Sequence, residues 1–255
     1  MGKDSYFCLM KKEQFIFMLE VPSTNDVLRS MIERKDADNP IEEFTVLYTD
    51  WQSKGRGMVG NVWESNPREN ILASFYFTPP VLPKDQSLMN IFFSLAVRKM
   101  LARYVPSVKI KWPNDIYVHH KKIAGILMEH VIQGDKIEHT IAGVGINLNQ
   151  DTFEFAPNPT SLLLETGFYN GRITLIKELY YIAKNYYQLV LQGKYEQLRK
   201  EYYWHLYRFG EFHSYLIKDE LIAAKITGVD GYGRLQLQTM NDKTILCGYK
   251  EVKFY

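Results

Sequence analysis

Apolar residues recur at helical spacing from about Thr24 to Arg34 and again from Lys84 to Tyr104, where Pro106 ends the run. Around them lie short apolar, largely β-branched or aromatic segments: Phe44 to Thr49, Ile71 to Phe77, Val108 to Trp112, Ile116 to His119, Ile123 to Val131 and Ile137 to Asn149. Turn residues, Pro113-Asn114-Asp115 and Gln133-Gly134-Asp135, separate the later ones, as a meander of paired strands requires. The pattern predicts an α+β fold with one sheet carrying helices on one side. From Thr174 to Tyr207 the period is helical again, and Gly193 divides it into two helices. After Phe209-Gly210 only short strands and turns follow, so the expected organisation is one unit over 1–210 and a small β unit over 211–255.

At 255 residues, 46% hydrophobic and 24% charged, the chain is long enough to bury a core and has the composition of ordinary folded domains. Thirty-one Lys+Arg against 29 Asp+Glu leave a net charge of +2, too little for whole-surface attraction to DNA or anionic lipid, so any anion site must be local. Cys8 and Cys247 stand at opposite ends of the chain and read as free thiols in a reducing cytosol. The charged first stretch lacks the apolar region of a signal peptide, and the run from Ile71 to Phe77 is far short of the roughly 20 residues a membrane helix needs. A cytoplasmic protein without a membrane partner is the expectation. Nine of the 18 tyrosines fall between Tyr169 and Tyr207; they read either as nucleobase platforms or, more plainly, as rings that cover a core while their hydroxyls reach water.

Several short motifs can carry chemistry. Gly55-Arg56-Gly57-Met58-Val59-Gly60 has dinucleotide-loop spacing, but no helical stripe follows and no acid lies between Ile71 and Lys84, so that fold is refused. What the loop does offer is close backbone approach at three glycines, little internal restraint, a planar cation at Arg56 and flanking Trp51 and Trp63. Lys109, Lys111, Lys121 and Lys122 face one aspartate, Asp115, within fourteen residues; Lys111 and Lys122 either share a mouth that neutralises a carboxylate and a phosphate or form a solvated face. Ser23-Thr24-Asn25-Asp26 has the spacing of a capping box and equally offers hydrogen bonds to a small polar ligand. Gly143 and Gly145 inside an apolar strand mark a close approach or a bulge, with Asn147 offering an amide beside them. No histidine spacing suits a structural metal, and no nucleophile elbow is present.

Taken together, Ser23-Thr24-Asn25, Gln52 to Gly57 with Gly60 and Trp63, Lys111 to Asp115, Lys122 to Glu129 and Gly143 to Asn147 resemble, in order and spacing, the biotin protein ligases. The resemblance implies a class II synthetase-like catalytic domain, a small C-terminal SH3-like β-barrel, and two-step chemistry. Biotin and ATP with Mg²⁺ give biotinyl-5′-AMP, and the biotinyl group then passes to a lysine of a biotin carboxyl carrier protein domain of a biotin-dependent carboxylase. It further implies that Ser23, Thr24, Asn25, Gln52, Gly55, Arg56, Gly57, Met58, Lys122 and Gly125 bind biotin. Arg56, Trp63, Lys111, Asn114, Asp115, Lys122 and Asn147 would serve ATP and the adenylate, with Lys122 and Arg56 as the catalytic pair and no protein-held metal.

Two features depart from that pattern. Met58 stands where many bacterial members carry a second arginine, which leaves one adenylate contact missing or supplied by Lys54. Too little chain precedes Ser23 for the helix-turn-helix domain of bifunctional members, so a ligase without operator binding is expected. A lipoate-protein ligase-like enzyme and a non-catalytic biotin sensor or adaptor are the alternatives. Monomer and homodimer both stay open.

Overall fold

The computed structural model describes residues 15–34, 40–58 and 60–255; Cys8, Val59 and the first fourteen positions lie outside the described residues. The first sheet contains β1 (Phe15–Val21), β2 (Val46–Gln52), β3 (Ile71–Phe77), β4 (Val108–Lys111), β5 (Asp115–Val118), β6 (Lys121–Gln133) and β7 (Lys136–Ile146). Their order is β1-β2-β3-β7-β6-β5-β4. β1 runs parallel to β2 and every other pair is antiparallel, which makes the sheet mixed. β1 is absent from the sequence expectation because its apolar run, FIFMLEV, lies at a sheet edge with Phe17 and Leu19 exposed, and so lacks clean alternation.

Helices α1 (Thr24–Arg34), α2 (Ser87–Leu101), α3 (Leu162–Thr166), α4 (Arg172–Leu191) and α5 (Tyr195–His205) complete the first unit. The expectation of helices on one side is corrected. Side chains alternate across a strand, and Val46 joins the large core with α2, α4 and α5 while its neighbour Leu47 packs with Leu28 of α1 and Ile141. Helix α1 therefore covers the opposite face. β3 lies beneath helices on both faces, which explains its nearly unbroken apolar run. The predicted long helix is shorter than its apolar stretch: a 3₁₀ turn at Pro83–Asp85 precedes α2, whose residues are buried almost all round between the sheet and α4 and α5. Gly193 takes a positive φ of 66° between α4 and α5, as its break in period required.

The tyrosine-rich stretch lines the core. Tyr180, Tyr186, Tyr187 and Tyr202 are buried, but two of the hydroxyls reach carboxylates rather than water: Tyr187 donates to Glu43 at 2.7 Å and Tyr186 to Glu201.

Strands β8 (Phe212–Ile217), β9 (Glu220–Val229), β10 (Leu235–Thr239), β11 (Thr244–Cys247) and β12 (Val252–Phe254) form a second, antiparallel sheet in the order β11-β10-β9-β8-β12. β11 and β12 are its two edges, so the expected SH3-like barrel reduces to a second sheet. Its buried residues, Tyr215, Ile226, Leu235 and Leu237 among them, join the same core cluster as the first unit. Cys247 is buried and free. Among the described residues no helix is long and apolar enough to cross a membrane.

Candidate functional site

The α1 face of the first sheet carries a cavity of about 390 Å³. Its floor is made by glycines. On β6 and β7, Gly143 pairs with Leu127 and Gly145 with Gly125, side by side on that face. A Cβ at 143 would lie 3.0 Å from Asn25 Cγ, one at 145 would lie 2.6 Å from Trp63 Cζ2, and one at 125 would lie 2.9 Å from Trp63 Cζ3. Close approach, not a bulge, is the reason for these glycines: the β6–β7 register shifts only between Val131 and Ile132. Two strand residues cover about 7 Å, so Asn25 and Trp63 sit one pleat apart on the floor.

At the Asn25 end, α1 begins in a buried hydroxyl–amide cluster. The Thr24 backbone N–H donates to Gln52 Oε1 at 2.7 Å, with the Thr24 hydroxyl 3.0 Å from the same oxygen. Ser74 Oγ lies 2.7 Å from Thr24 Oγ1 and 2.5 Å from Asn25 Oδ1, while Asn25 Nδ2 donates to Glu129 Oε2 at 2.6 Å. The capping-box partner Asp26 instead pairs with Arg56 of the glycine loop and, at 3.4 Å, with Arg29. Ser74 and Glu129 were missed as site residues. Glu129 stood in the quoted Lys122-to-Glu129 motif, whereas Ser74 lies inside an apolar strand with nothing local to single it out.

At the other end Lys122 Nζ lies 2.6 Å from Asp115 Oδ1 and 5.5 Å from the Trp63 ring centre. The bare Gly125 makes room for both: a Cβ there would also meet Lys122 Cε at 3.3 Å. The Pro113–Asp115 turn is tied down from two sides. Asn90 Nδ2 donates to the Pro113 carbonyl at 2.5 Å, Asn114 Nδ2 donates to the Ile126 carbonyl, and Ile126 N donates back to Asn114 O at 2.9 Å.

Two segments rim the cavity. The glycine loop carries more restraint than its composition suggests: Gly57 N donates to Asn61 O at 2.9 Å and Trp63 N to Gly55 O at 3.0 Å, while Arg56 is held on Asp26 with Glu129 3.8 Å away. The second segment is fixed by Glu64, whose carboxylate accepts the backbone N–H groups of Glu154, Phe155 and Ala156 at 2.6 to 3.1 Å. Phe155 from that segment faces the cavity.

Of the sequence-predicted residues, Ser23, Thr24, Asn25, Gln52, Arg56, Gly57, Met58, Trp63, Asn114, Asp115, Lys122 and Gly125 all line this cavity. Three do not. Gly55 lies behind the loop against Trp63 O, and Asn147 ties strands to the following segment through Nδ2 to Thr160 O at 3.0 Å. Lys111 turns away to the Tyr117 hydroxyl at 3.0 Å and lies 5.1 Å from the Phe254 ring centre, where burial pushes its ammonium pKa down. It stays near the Lys122 end nonetheless: β4 and β5 are neighbours, Lys111 is the cross-strand partner of Asp115, and the charges of Asp115 and Lys122 both act on its ammonium. Lys54 is exposed and outside the lining.

A model of the biotin/lipoate A/B protein ligase family matches residues 20–147. The chain is 35% identical over 120 residues to the bifunctional ligase/repressor BirA of Bacillus spizizenii, which covers 47% of this chain and 37% of that protein. It is 32% identical over 156 residues to the biotin--[acetyl-CoA-carboxylase] ligase of Mycobacterium tuberculosis, covering 59% of this chain and 55% of that one. The match thus spans little more than a third of the first relative's length. Among solved structures, the biotin protein ligase from Aquifex aeolicus in complex with biotin and ATP shares the fold, with TM-score 0.74 and 24% identity over 95% of this chain and 99% of that one. The biotin protein ligase from Leishmania major in complex with biotinyl-5-AMP gives TM-score 0.63 and 19% identity over 92% and 98%.

Proposed function

The chain belongs to the biotin/lipoate A/B protein ligase family, and from that premise we propose that it is an ATP-dependent biotin protein ligase. In this reading a carboxylate oxygen of biotin attacks the α-phosphorus of ATP and pyrophosphate leaves. An acceptor lysine of a biotin carboxyl carrier protein domain then attacks the acyl carbon of biotinyl-5′-AMP, and AMP leaves. The catalytic unit is taken as 1–210 and the second unit as 211–255.

One observation carries the reading: a single cavity joins a buried hydroxyl–amide floor to a rim bearing two cations. Biotin is a urea on an apolar body with a carboxylate tail. The cluster of Ser23, Thr24, Asn25 and Gln52 offers donors and acceptors that can turn from one another to the urea, whereas the dithiolane of lipoate has no polar group to meet them. Gly55 and Gly57 let the loop approach the ligand, with Met58 and Gly125 against its chain. Arg56 and Lys122 lower the repulsion between a carboxylate and a phosphate brought together, and hold both in line for attack. Each cation already has a carboxylate partner, Asp26 or Asp115, with which an arriving anion competes. Trp63, Asn114 and Asp115 serve the adenylate; Lys111 and Asn147 support it from outside the lining.

Mg²⁺ bound with ATP neutralises triphosphate charge. Among the described residues Asp115 is the one carboxylate in the lining, which would suit an ion held mainly by phosphate and water.

The test is biotin-dependent release of pyrophosphate from ATP by the purified chain, with labelled biotin and labelled lipoate compared for binding. Release with biotin alone is expected. Preference for lipoate would overturn the substrate, and biotin binding without release would make the chain a sensor.

A further inference from the structure

Tyr249 is the one cavity-lining residue contributed by the second sheet. It sits in the turn between β11 and β12, which Glu251 closes: Gly248 N donates to Glu251 Oε2 at 2.6 Å and Glu251 N donates to Gly248 O at 3.2 Å. Its hydroxyl lies 3.5 Å from Asn61 Nδ2 of the glycine loop. Burial, and then the negative charge of Asp115, push the phenol pKa up, so the ring is neutral and close to the Asp115–Lys122 end. The second sheet is braced against this same end: Trp112 Nε1 donates to the Gly233 carbonyl at 2.9 Å, and the Lys111 ammonium lies against the Phe254 ring.

Resting on the ligase reading of the cavity, we infer that Tyr249 is a nucleotide-binding residue, its ring packing on the nucleoside part of ATP. The cavity divides its labour along its length. Lys122 and Arg56 supply the positive charge a triphosphate needs, and Tyr249, neutral and beside a carboxylate, adds nothing for phosphate. A flat ring at the mouth supplies what a nucleoside needs, a stacking surface that tolerates any base and excludes water from one face. Of the other aromatic rings in the lining, Trp63 is already seated in the glycine cradle, where Cβ atoms at 125 and 145 would collide with it. Phe155 belongs to the segment that Glu64 fixes, and its side chain is largely exposed. The second sheet thereby completes the nucleotide end of a site built otherwise from the first.

The experiment uses the full chain and titrates ATP, inorganic tripolyphosphate and biotin separately by calorimetry. Tyr249→Ala and Tyr249→Leu are expected to weaken ATP about tenfold, the lower part of the range for loss of one base–aromatic stack. Tripolyphosphate and biotin should stay within twofold, and Tyr249→Phe should keep most of the ATP affinity. The leucine variant keeps apolar bulk at the turn, so a merely structural role would spare it. Unchanged ATP affinity in both variants, or equal weakening of ATP and tripolyphosphate, overturns the inference. A parent chain that binds ATP yet releases no biotin-dependent pyrophosphate overturns the ligase reading alone, because the ATP-to-tripolyphosphate ratio still decides Tyr249. A parent that binds no ATP overturns both.

Discussion

Gly145→Ala puts a methyl group where the Trp63 indole lies. The new Cβ would be 2.6 Å from Trp63 Cζ2, about 1 Å inside the roughly 3.5 to 4.0 Å at which carbon atoms pack. Neither neighbour gives easily. Gly145 is bound into the middle of the sheet between Leu72 of β3 and Gly125 of β6, and Trp63 is tied through its backbone to Gly55. The ring must tilt out of its cradle, and overpacking of this size costs about 1 to 3 kcal/mol. For a chain of this length that is a fall in Tm of about 2 to 10 °C. The assay is a double-mutant cycle with Trp63→Ala, read by thermal or urea unfolding. In the Trp63→Ala background the methyl has no ring to strike, so Gly145→Ala should cost less than about 0.5 kcal/mol, with the difference appearing as coupling. Equal costs in both backgrounds would refute the cradle as the reason for the glycine.

Three further outcomes are expected. Lys122→Ala should fold but lose biotin-dependent pyrophosphate release by at least about 100-fold, as removal of one preorganised charge donor commonly does; near-parental turnover would return this lysine to a solvated role. Met58→Arg adds a guanidinium at a lining position that has no cation, and should slow release of biotinyl-5′-AMP by one to two decades, from about 1.5 to 3 kcal/mol of charge-assisted bonding; an unchanged off-rate would show that position 58 faces no phosphate. His130, whose pKa burial pushes down from 6.5 to about 4, is neutral in the fold while the unfolded chain takes up its proton below 6.5. Stability should therefore fall by up to about 1.4 kcal/mol per pH unit as pH drops from 6.5 toward 4. His130→Gln should flatten that part of a pH series of urea midpoints, and an unaltered slope would assign it to other groups.

Legibility in the sequence followed the range over which each constraint acts. Helix α1 and strand β3 were read to the residue because capping, turn chemistry and apolar period are local. The face that α1 covers was not, since it depends on which of two alternating residues, Val46 or Leu47, meets which helix, and that is decided by strand order. The candidate site divides the same way. Twelve of the fifteen predicted residues meet in one cavity, most of them in contiguous motifs with unusual glycine, lysine or amide content. Lys111 shows the limit of a charge count, in which lysines two or eleven positions apart look equivalent: it is the cross-strand partner of Asp115, yet its ammonium rests against the Tyr117 and Phe254 rings, outside the lining.

Ser74 and Tyr249 carry that argument furthest. Ser74 interrupts an apolar strand and was indistinguishable from a tolerated small residue until register placed it opposite Gly143, beneath Thr24 and Asn25. Tyr249 is one of 18 tyrosines and lies 127 residues from Lys122 along the chain; only the docking of the second sheet, through Trp112 to Gly233, brings it to the same cavity. Both reach the site through hydrogen bonds between distant segments, and neither belongs to a motif. Residues of this kind set how tightly a site holds its ligands while leaving its recognisable signature unchanged. Relatives that share the motifs around Arg56 and Lys122 but differ at positions such as 58, 74 and 249 should therefore differ in affinity and in retention of the intermediate more than in the reaction they carry out.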